Sequence, residues 1–191
     1  MIWVVSDWHF NHNKPFIYEA RGYCSLKAMN EDLIARHNAL VCPWDDVYVL
    51  GDLMLGGSEK IIEGINCIKQ MNGKLHIICG NHDTEKKIKA YHELYPKIIE
   101  VENSKFLKYE KYHFYLSHFP SICSNYDDDK PLKQKTINLC GHSHIKNPFG
   151  DLDKGLIYHC EVDAHNNSPT SLDCIINDLK CHNTLINLKE S

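Results

Sequence analysis

The sequence predicts an α/β fold with two mixed β-sheets flanked by helices, and we expect residues 1–191 to form a single domain. In the first half, short apolar runs alternate with segments whose apolar residues recur at helical spacing, which is typical of a largely parallel sheet. Short polar motifs directly follow these runs, at the strand ends where open α/β sheets place ligands. The second half contains further apolar runs separated by turn residues, which predicts a second sheet.

The first half is predicted to supply three strands and three helices. Ser25 can cap the first helix, and the Asn72-Gly73 pair can end the second. We predict strands over residues 2–6, 47–50 and 75–79, a loop over 10–24, and helices over 26–39, from Ser58 to about Met71, and over 85–94.

The second half is predicted to be mainly β-structure. Residues 105–109 and 112–116 resemble a hairpin that turns at Glu110-Lys111, and residues 127–131 resemble an exposed loop. Four more strands are predicted, over residues 137–140, 156–162, 171–176 and 181–188, the last two joined at Asn177-Asp178.

Composition limits the class of protein and of partner. The hydrophobic fraction of 43% and the charged fraction of 24% are ordinary for a globular protein. No apolar run is long enough for a membrane span, so we expect a cytoplasmic location and no membrane partner. The formal net charge of −4 argues against long nucleic acid as a partner, though it is compatible with a nucleotide or a nucleic-acid end. Nine cysteines without a CxxC pair predict reduced thiols.

Five short motifs contain side chains suited to binding metals. Together they offer two Asp, one Asn and four His as candidate metal ligands. A fifth His is a candidate general acid. Two divalent metals about 3.5–4 Å apart are a common device for attacking phosphate esters. The candidate general acid is His82, and the predicted ligands are Asp7, His9, Asp52, Asn81, His118, His142 and His144.

Several of these residues have a simpler interpretation when taken alone. Asp52 resembles a turn or capping residue, and His118 resembles a buried core histidine. Asp83 is predicted either to cap the following helix or to orient His82. The paired histidines of Gly141-His142-Ser143-His144 are the most specific signal, and the order of all five motifs favours the metal site.

The motifs resemble those of the calcineurin-like metallophosphoesterases, whose pattern is D-x-H, GD, GNH(D/E), H and GHxH. The resemblance implies a four-layer αββα sandwich and two metals, with Mn favoured and Fe or Zn as alternatives. It implies a proton-donating role for His82 and a bridging role for Asp52. By the same resemblance, Asp7, His9 and His144 hold the first metal, and Asn81, His118 and His142 hold the second.

A narrower resemblance points to small bacterial and phage predicted phosphoesterases. It rests on residues 7–13, the Tyr18-Glu19-Ala20-Arg21 segment, Val162-Asp163 and residues 169–172. This chain has Phe10-Asn11-His12 where those proteins show F-G-H, and Arg21-Gly22-Tyr23 where they show R-P-F. These departures leave the predicted metal ligands intact, but they argue against assigning the subgroup's substrate preference to this chain.

We therefore expect a metal-dependent phosphodiesterase acting on small, nucleotide-type substrates, through a metal-bridging hydroxide with His82 as general acid. A phosphomonoesterase and a nuclease or nucleic-acid end processor are the alternatives, and a metal-free scaffold is the least favoured. Arg21 is interpreted as a phosphate clamp or as a solvated loop residue, and His12 as a pocket-lining residue. His165, with Asn166 and Asn167, is a further candidate for the pocket. The remaining histidines are interpreted as structural or exposed: His37, His76, His92, His113, His159 and His182.

Overall fold

The computed structural model describes residues 1–57, 60–123 and 130–189, with side chains described up to residue 182. The predicted helix start at Ser58 and positions 127–129 of the predicted loop lie outside these residues. The strands are β1 (Ile2–Val5), β2 (Asp46–Val49), β3 (Lys74–Ile78), β4 (Ile98–Glu102), β5 (Ser104–Tyr109), β6 (Tyr112–Ser117), β7 (Thr136–Cys140), β8 (Ile157–His159) and β9 (Thr170–Ser171). The helices are α1 (Pro15–Tyr18), α2 (Leu26–Leu40), α3 (Ile61–Gln70), α4 (Glu85–His92) and α5 (Leu172–Lys189).

The strands form two mixed sheets, as predicted. The first sheet has the order β4-β3-β2-β1-β9, in which β1 to β4 are parallel and β9 is antiparallel. The second has the order β5-β6-β7-β8, with β5 antiparallel to β6 and the other neighbours parallel. The parallel strands of each sheet therefore end at one edge, where the loops that follow them gather.

Successive side chains of the first sheet point to opposite faces, so the sheet separates two hydrophobic cores. Val47, Val49 and Ile77 face helices α2 to α4 and belong to the first core. Val4, Tyr48 and Leu50 point the other way and pack against the second sheet in the second core. Because both faces of the central strands are covered, their buried positions are apolar on both sides, as expected for buried parallel strands. The polar residues of β2 and β3 lie at positions that are not fully buried: Asp46, Lys74 and His76.

The predicted helices of the first half are confirmed, with small shifts at their ends. The Ser25 hydroxyl accepts a hydrogen bond from the Ala28 amide at 3.2 Å, which confirms the predicted cap of α2. The predicted loop over residues 10–24 contains the short helix α1. Strand β4 follows α4 and was not predicted.

The predicted strands at 171–176 and 181–188 are wrong, because this segment is the helix α5. Asn177 and Asp178, predicted to form a turn, lie exposed within the helix. The buried apolar residues recur at intervals of three and four, which is the spacing of a helical stripe. This stripe joins the second core and consists of Leu172, Ile175, Ile176 and Leu179.

The predicted strand at 156–162 is also shorter in the structure. Only Ile157–His159 pairs as β8, and Val162–Ala164 forms a single 3-10 turn. Of the helices that the described ranges contain, none combines the length and the apolarity needed to cross a membrane.

The position of α5 predicts unequal effects for two alanine substitutions. Ile175→Ala removes a fully buried side chain and should lower the free energy of unfolding by about 2–4 kcal/mol. Asn177→Ala, on the exposed face, should change it by less than about 0.5 kcal/mol. Urea denaturation of both variants checks this, and a loss at Asn177 equal to that at Ile175 would favour the turn over the helix.

Candidate metal centre

The seven predicted metal ligands lie at the carboxyl ends of strands from both sheets. Asp7 and His9 follow β1, Asp52 follows β2 and Asn81 follows β3. The three remaining histidines follow strands of the second sheet: His118 after β6, and His142 and His144 after β7. The two sheets therefore contribute to one cluster at their shared edge.

Five of these predicted ligands have left-handed backbone conformations. Residues other than glycine rarely adopt positive φ, and each such residue costs on the order of 1–3 kcal/mol. Hydrogen bonds hold the first loop in place, from the Asp7 amide to Gly51 O (3.1 Å) and from the His9 amide to Asp52 O (3.0 Å). The φ values are 59° for Asp7, 51° for His9, 54° for Asp52, 76° for His142 and 51° for His144.

Gly51 allows three of the motif loops to meet. Its φ of 92° is left-handed, and a Cβ atom there would lie 2.6 Å from both Gly80 N and His118 Nδ1. Any larger residue would therefore push the Asp52 loop away from the Gly80 loop and from His118.

The candidate ligand atoms of a first metal, which we call the first ligand group, are Asp7 Oδ1, His9 Nε2, His144 Nε2 and Asp52 Oδ2. His9 Nε2 lies 3.4 Å from Asp7 Oδ1 and 3.7 Å from Asp52 Oδ2. His144 Nε2 lies 3.7 Å from Asp7 Oδ1 and 3.0 Å from His9 Nε2. Asp7, His9 and Asp52 are buried, so their ligand atoms face one another rather than water.

The candidate ligand atoms of a second metal, which we call the second ligand group, are Asp52 Oδ2, Asn81 Oδ1, His118 Nε2 and His142 Nδ1. Asn81 Oδ1 lies 2.9 Å from His118 Nε2 and 3.0 Å from His142 Nδ1. His118 Nε2 lies 3.6 Å from Asp52 Oδ2, so this carboxylate oxygen borders both groups. Asn81 and His142 are exposed, and the cluster is therefore open on their side.

The chemistry of these atoms fits divalent metals. Asp7 Oδ1 is buried and, among the described residues, makes no hydrogen bond. His118 Nδ1 donates to Leu50 O at 2.8 Å, and His144 Nδ1 donates to Asp163 Oδ2 at 3.0 Å. Each of these bonds fixes the tautomer that turns the Nε2 lone pair toward the cluster, which is how metal-binding histidines are usually oriented.

His82 stands at the rim of the cluster. Its Nε2 lies 3.8 Å from Asp52 Oδ2, and its side chain is 43% exposed. The His82 amide donates to Asp52 Oδ1 at 2.9 Å, so the carboxylate that borders both groups also fixes the His82 backbone.

Asp83 has neither of its two predicted roles. Its Oδ2 accepts hydrogen bonds from the amides of Asp52 (2.8 Å) and Gly80 (2.9 Å). Its Oδ1 accepts from the Tyr91 hydroxyl at 2.8 Å. The buried carboxylate thus ties two ligand loops to helix α4, which an isolated Asn-His-Asp sequence could not reveal.

Both interpretations of Arg21 are wrong, because its guanidinium is buried in an ion pair. Its side chain is 1% exposed, so the guanidinium is closed to a phosphate and to solvent. Nε and Nη2 donate to the two oxygens of Asp163 at 3.0 and 2.8 Å. Burial alone would raise the pKa of Asp163, but hydrogen bonds from His144 and Arg21 outweigh it and hold the pKa well below its usual value.

Sequence reasoning gave Asp163 no role in the site. It is one of 25 acidic residues, and its position in the Val162-Asp163 pair was the one feature that distinguished it. A buried arginine needs a carboxylate partner, but the sequence did not show that Arg21 is buried.

The tentative pocket residues lie in different places. The His12 ring lies 5.3 Å from the His9 ring and 5.8 Å from the Phe16 ring, at the edge of the first ligand group. His165 instead bonds to His159 O at 2.8 Å and stacks on Tyr158, so its ring is engaged there rather than in the pocket. Asn167 donates to Arg21 O at 3.2 Å.

Comparison with known proteins identifies the family. Residues 1–160 match the calcineurin-like phosphoesterase superfamily domain, and the chain belongs to this family. It is therefore a metal-dependent phosphoesterase, a hydrolase.

Two relatives and one solved structure are similar to this chain along most of its length. An uncharacterized protein of Methanocaldococcus jannaschii is 30% identical over 179 residues, covering 92% of this chain and 89% of the relative. The gene 66 protein of Mycobacterium phage L5 is 23% identical over 160 residues, covering 74% and 76%. A protein of unknown function from Aquifex aeolicus matches the fold with a TM-score of 0.68 and 22% identity, covering 94% of this chain and 98% of that one.

A buried histidine behind the cluster predicts a pH dependence of stability. His159 lies between Glu161 Oε1 (2.9 Å) and Asp151 Oδ2 (3.0 Å). Burial lowers its pKa, but the two carboxylates outweigh burial and raise the pKa above its usual value. This contribution to stability is complete below the unfolded pKa of about 6.5 and is lost as the pH rises through the folded pKa.

We therefore expect the stability difference between wild type and His159→Gln to shrink as the pH rises from about 6 to 9, by about 1.4 kcal/mol per unit of raised pKa. Urea denaturation at fixed metal concentration measures it, with the exposed His113→Gln as control. A difference that stays constant or grows with pH would contradict the charged state of His159.

Proposed function

We propose that this protein is a dinuclear phosphodiesterase for small, nucleotide-type substrates. The observation that carries the proposal is the position of Asp52 Oδ2, 3.7 Å from His9 Nε2 and 3.6 Å from His118 Nε2. Asp52 could therefore contribute to the binding of both of two neighbouring metals, and a pair of metals is the arrangement used against phosphate esters.

The ligand groups supply different sets of atoms to the proposed metals. The first would use Asp7, His9, His144 and Asp52, and the second would use Asn81, His118, His142 and Asp52. Imidazole nitrogens mixed with carboxylate and amide oxygens suit Mn, Fe and Zn, and we propose Mn as the working metal. When bound, such a pair supplies an activated water and polarises the phosphoryl oxygens.

His82 is the proposed general acid. Its exposed imidazole at the rim can reach the leaving oxygen of a substrate seated over the cluster, and its backbone is fixed by Asp52. Protonation of the leaving oxygen is most important for alkoxide leaving groups, whose conjugate acids are weak.

An aromatic side chain beside the cluster supports a substrate that carries a nucleobase. The Phe119 ring lies 4.6 Å from the His142 ring and 5.0 Å from the His118 ring, yet Phe119 is 49% exposed. The turn that presents it is held by buried Asn138, whose Oδ1 accepts from the Ser121 amide at 2.7 Å. A fixed, half-exposed ring beside the second ligand group can stack on a base.

Replacing His82 tests the general acid. His82→Ala should lower turnover of a 2′,3′-cyclic nucleotide about 10²–10⁴-fold while metal content stays near that of the wild type. Steady-state kinetics and elemental analysis measure the two effects. Asp52→Asn is the contrasting variant and should lose both turnover and metal. Wild-type turnover of the cyclic nucleotide by His82→Ala would exclude His82 as the acid.

Parallel assays test the preference for diesters. Metal-stripped protein with Mn²⁺ restored should hydrolyse bis-p-nitrophenyl phosphate faster than p-nitrophenyl phosphate, because the open cluster accommodates a second ester group. Faster monoester hydrolysis would identify a phosphomonoesterase instead. Asp52→Asn protein controls for contaminating activity, because it should lose both metal and turnover, whereas p-nitrophenolate leaves readily without the proposed acid.

Removing the aromatic ring tests the nucleotide preference. Phe119→Leu should raise KM for thymidine 5′-(p-nitrophenyl phosphate) about tenfold, since stacking is worth about 1–3 kcal/mol per base. Phe106→Leu, at an exposed position on β5, is the matched control. The methyl p-nitrophenyl ester has the same leaving group and no base, so an equal rise in its KM would argue against stacking.

A further inference from the structure

The Arg21–Asp163 ion pair directly contacts the first ligand group. The two side chains are 1% and 8% exposed, and the guanidinium meets the carboxylate through two hydrogen bonds. This two-point geometry fixes the relative orientation of both partners, which a lysine could not do.

Arg21 also binds the backbone of the loop that carries two ligands. Nη2 donates to Asp7 O at 2.8 Å, and Nη1 donates to Trp8 O at 3.1 Å. Asp7 and His9 both have left-handed backbones, so this loop would relax if its carbonyls were released. The guanidinium therefore holds a strained segment in the conformation that brings its ligand atoms together.

Asp163 orients the histidine that approaches from the other sheet. Its Oδ2 accepts from His144 Nδ1 at 3.0 Å as well as from Arg21. The 3-10 turn carrying Asp163 is anchored next to β1 by a hydrogen bond of 3.1 Å from the Val162 amide to the carbonyl oxygen of Ser6, the residue that follows the strand. One carboxylate thus links His144 to the Asp7 loop through Arg21.

The second ligand group is supported differently. Its His118 donates to the neutral carbonyl of Leu50, and its Asn81 oxygen is itself uncharged. Across the residues that the structure describes, the Arg21–Asp163 pair bonds to Asp7 and His144 of the first group and to no ligand found only in the second.

We propose that Arg21 and Asp163 are positioning residues that selectively strengthen the first metal site. This inference rests on the ligand assignment of the proposed function. The pair holds the Asp7 backbone, the loop leading to His9 and the Nδ1 side of His144, so three of the four first-site ligands depend on it. A purely structural ion pair would stabilise the fold without changing the ratio of the two metal affinities.

Metal titration of the full chain separates these roles. Mn²⁺ is titrated into metal-stripped wild type and Asp163→Asn, and the two dissociation constants are measured by calorimetry. Loss of an outer partner of a metal ligand typically costs 10–100-fold in affinity. We expect one Mn²⁺ site to weaken by that factor and the other to change less than about threefold.

A matched control distinguishes positioning from stability. Asp45 is a buried carboxylate at the opposite end of β2, where it accepts from the amino terminus at 2.7 Å and from Trp3 Nε1 at 3.0 Å. Asp45→Asn should lower the melting temperature and leave both Mn²⁺ affinities unchanged. Arg21→Lys keeps the charge but loses the two-point contact, and it should weaken the same single site as Asp163→Asn.

The inference is overturned if Asp163→Asn binds two Mn²⁺ with wild-type affinities, or if both sites weaken by the same factor. Should the single variants fail to fold, the double variant Arg21→Gln/Asp163→Asn leaves no unpaired buried charge and is subject to the same criteria. These readouts require no turnover. A wild type that binds two Mn²⁺ without cleaving diesters would contradict the proposed function and leave the positioning result standing.

Discussion

The Asp52 carboxylate is the junction on which the rest of the site depends. One oxygen borders both ligand groups, and the other accepts the amide of His82. Its own amide is held by Asp83, which also holds the Gly80 loop. A displacement of this residue would therefore disturb both ligand groups and the proposed acid together.

Such a junction needs a rigid frame, because the ligand loops are strained. Asp7, His9 and Asp52 all have positive φ, and the parallel strands that end at these loops are buried on both faces. Packed cores deform little, so they can maintain conformations that an isolated loop would leave. The packed cores of the two sheets thus hold the polar atoms of the loops in fixed positions at one edge.

The sequence predicted what depends on local pattern, and missed what depends on distant partners. The clustering of the seven predicted ligands could be predicted because each follows a strand and has a side chain typical of metal sites. Arg21 was misinterpreted because its partner, Asp163, lies 142 residues away along the chain. Helix α5 was misinterpreted because its β-branched isoleucines suit a strand, while the spacing of Leu172, Ile175 and Leu179 is helical.

Anomalous diffraction from crystals of the Mn²⁺-loaded protein tests the proposed dinuclear centre directly. If Asp52 joins two metals, the map should show two peaks about 3.5–4 Å apart with the Asp52 carboxylate between them. One peak should lie among Asp7, His9 and His144, and the other among Asn81, His118 and His142. A single peak, or peaks away from Asp52, would contradict a dinuclear centre bridged by this residue.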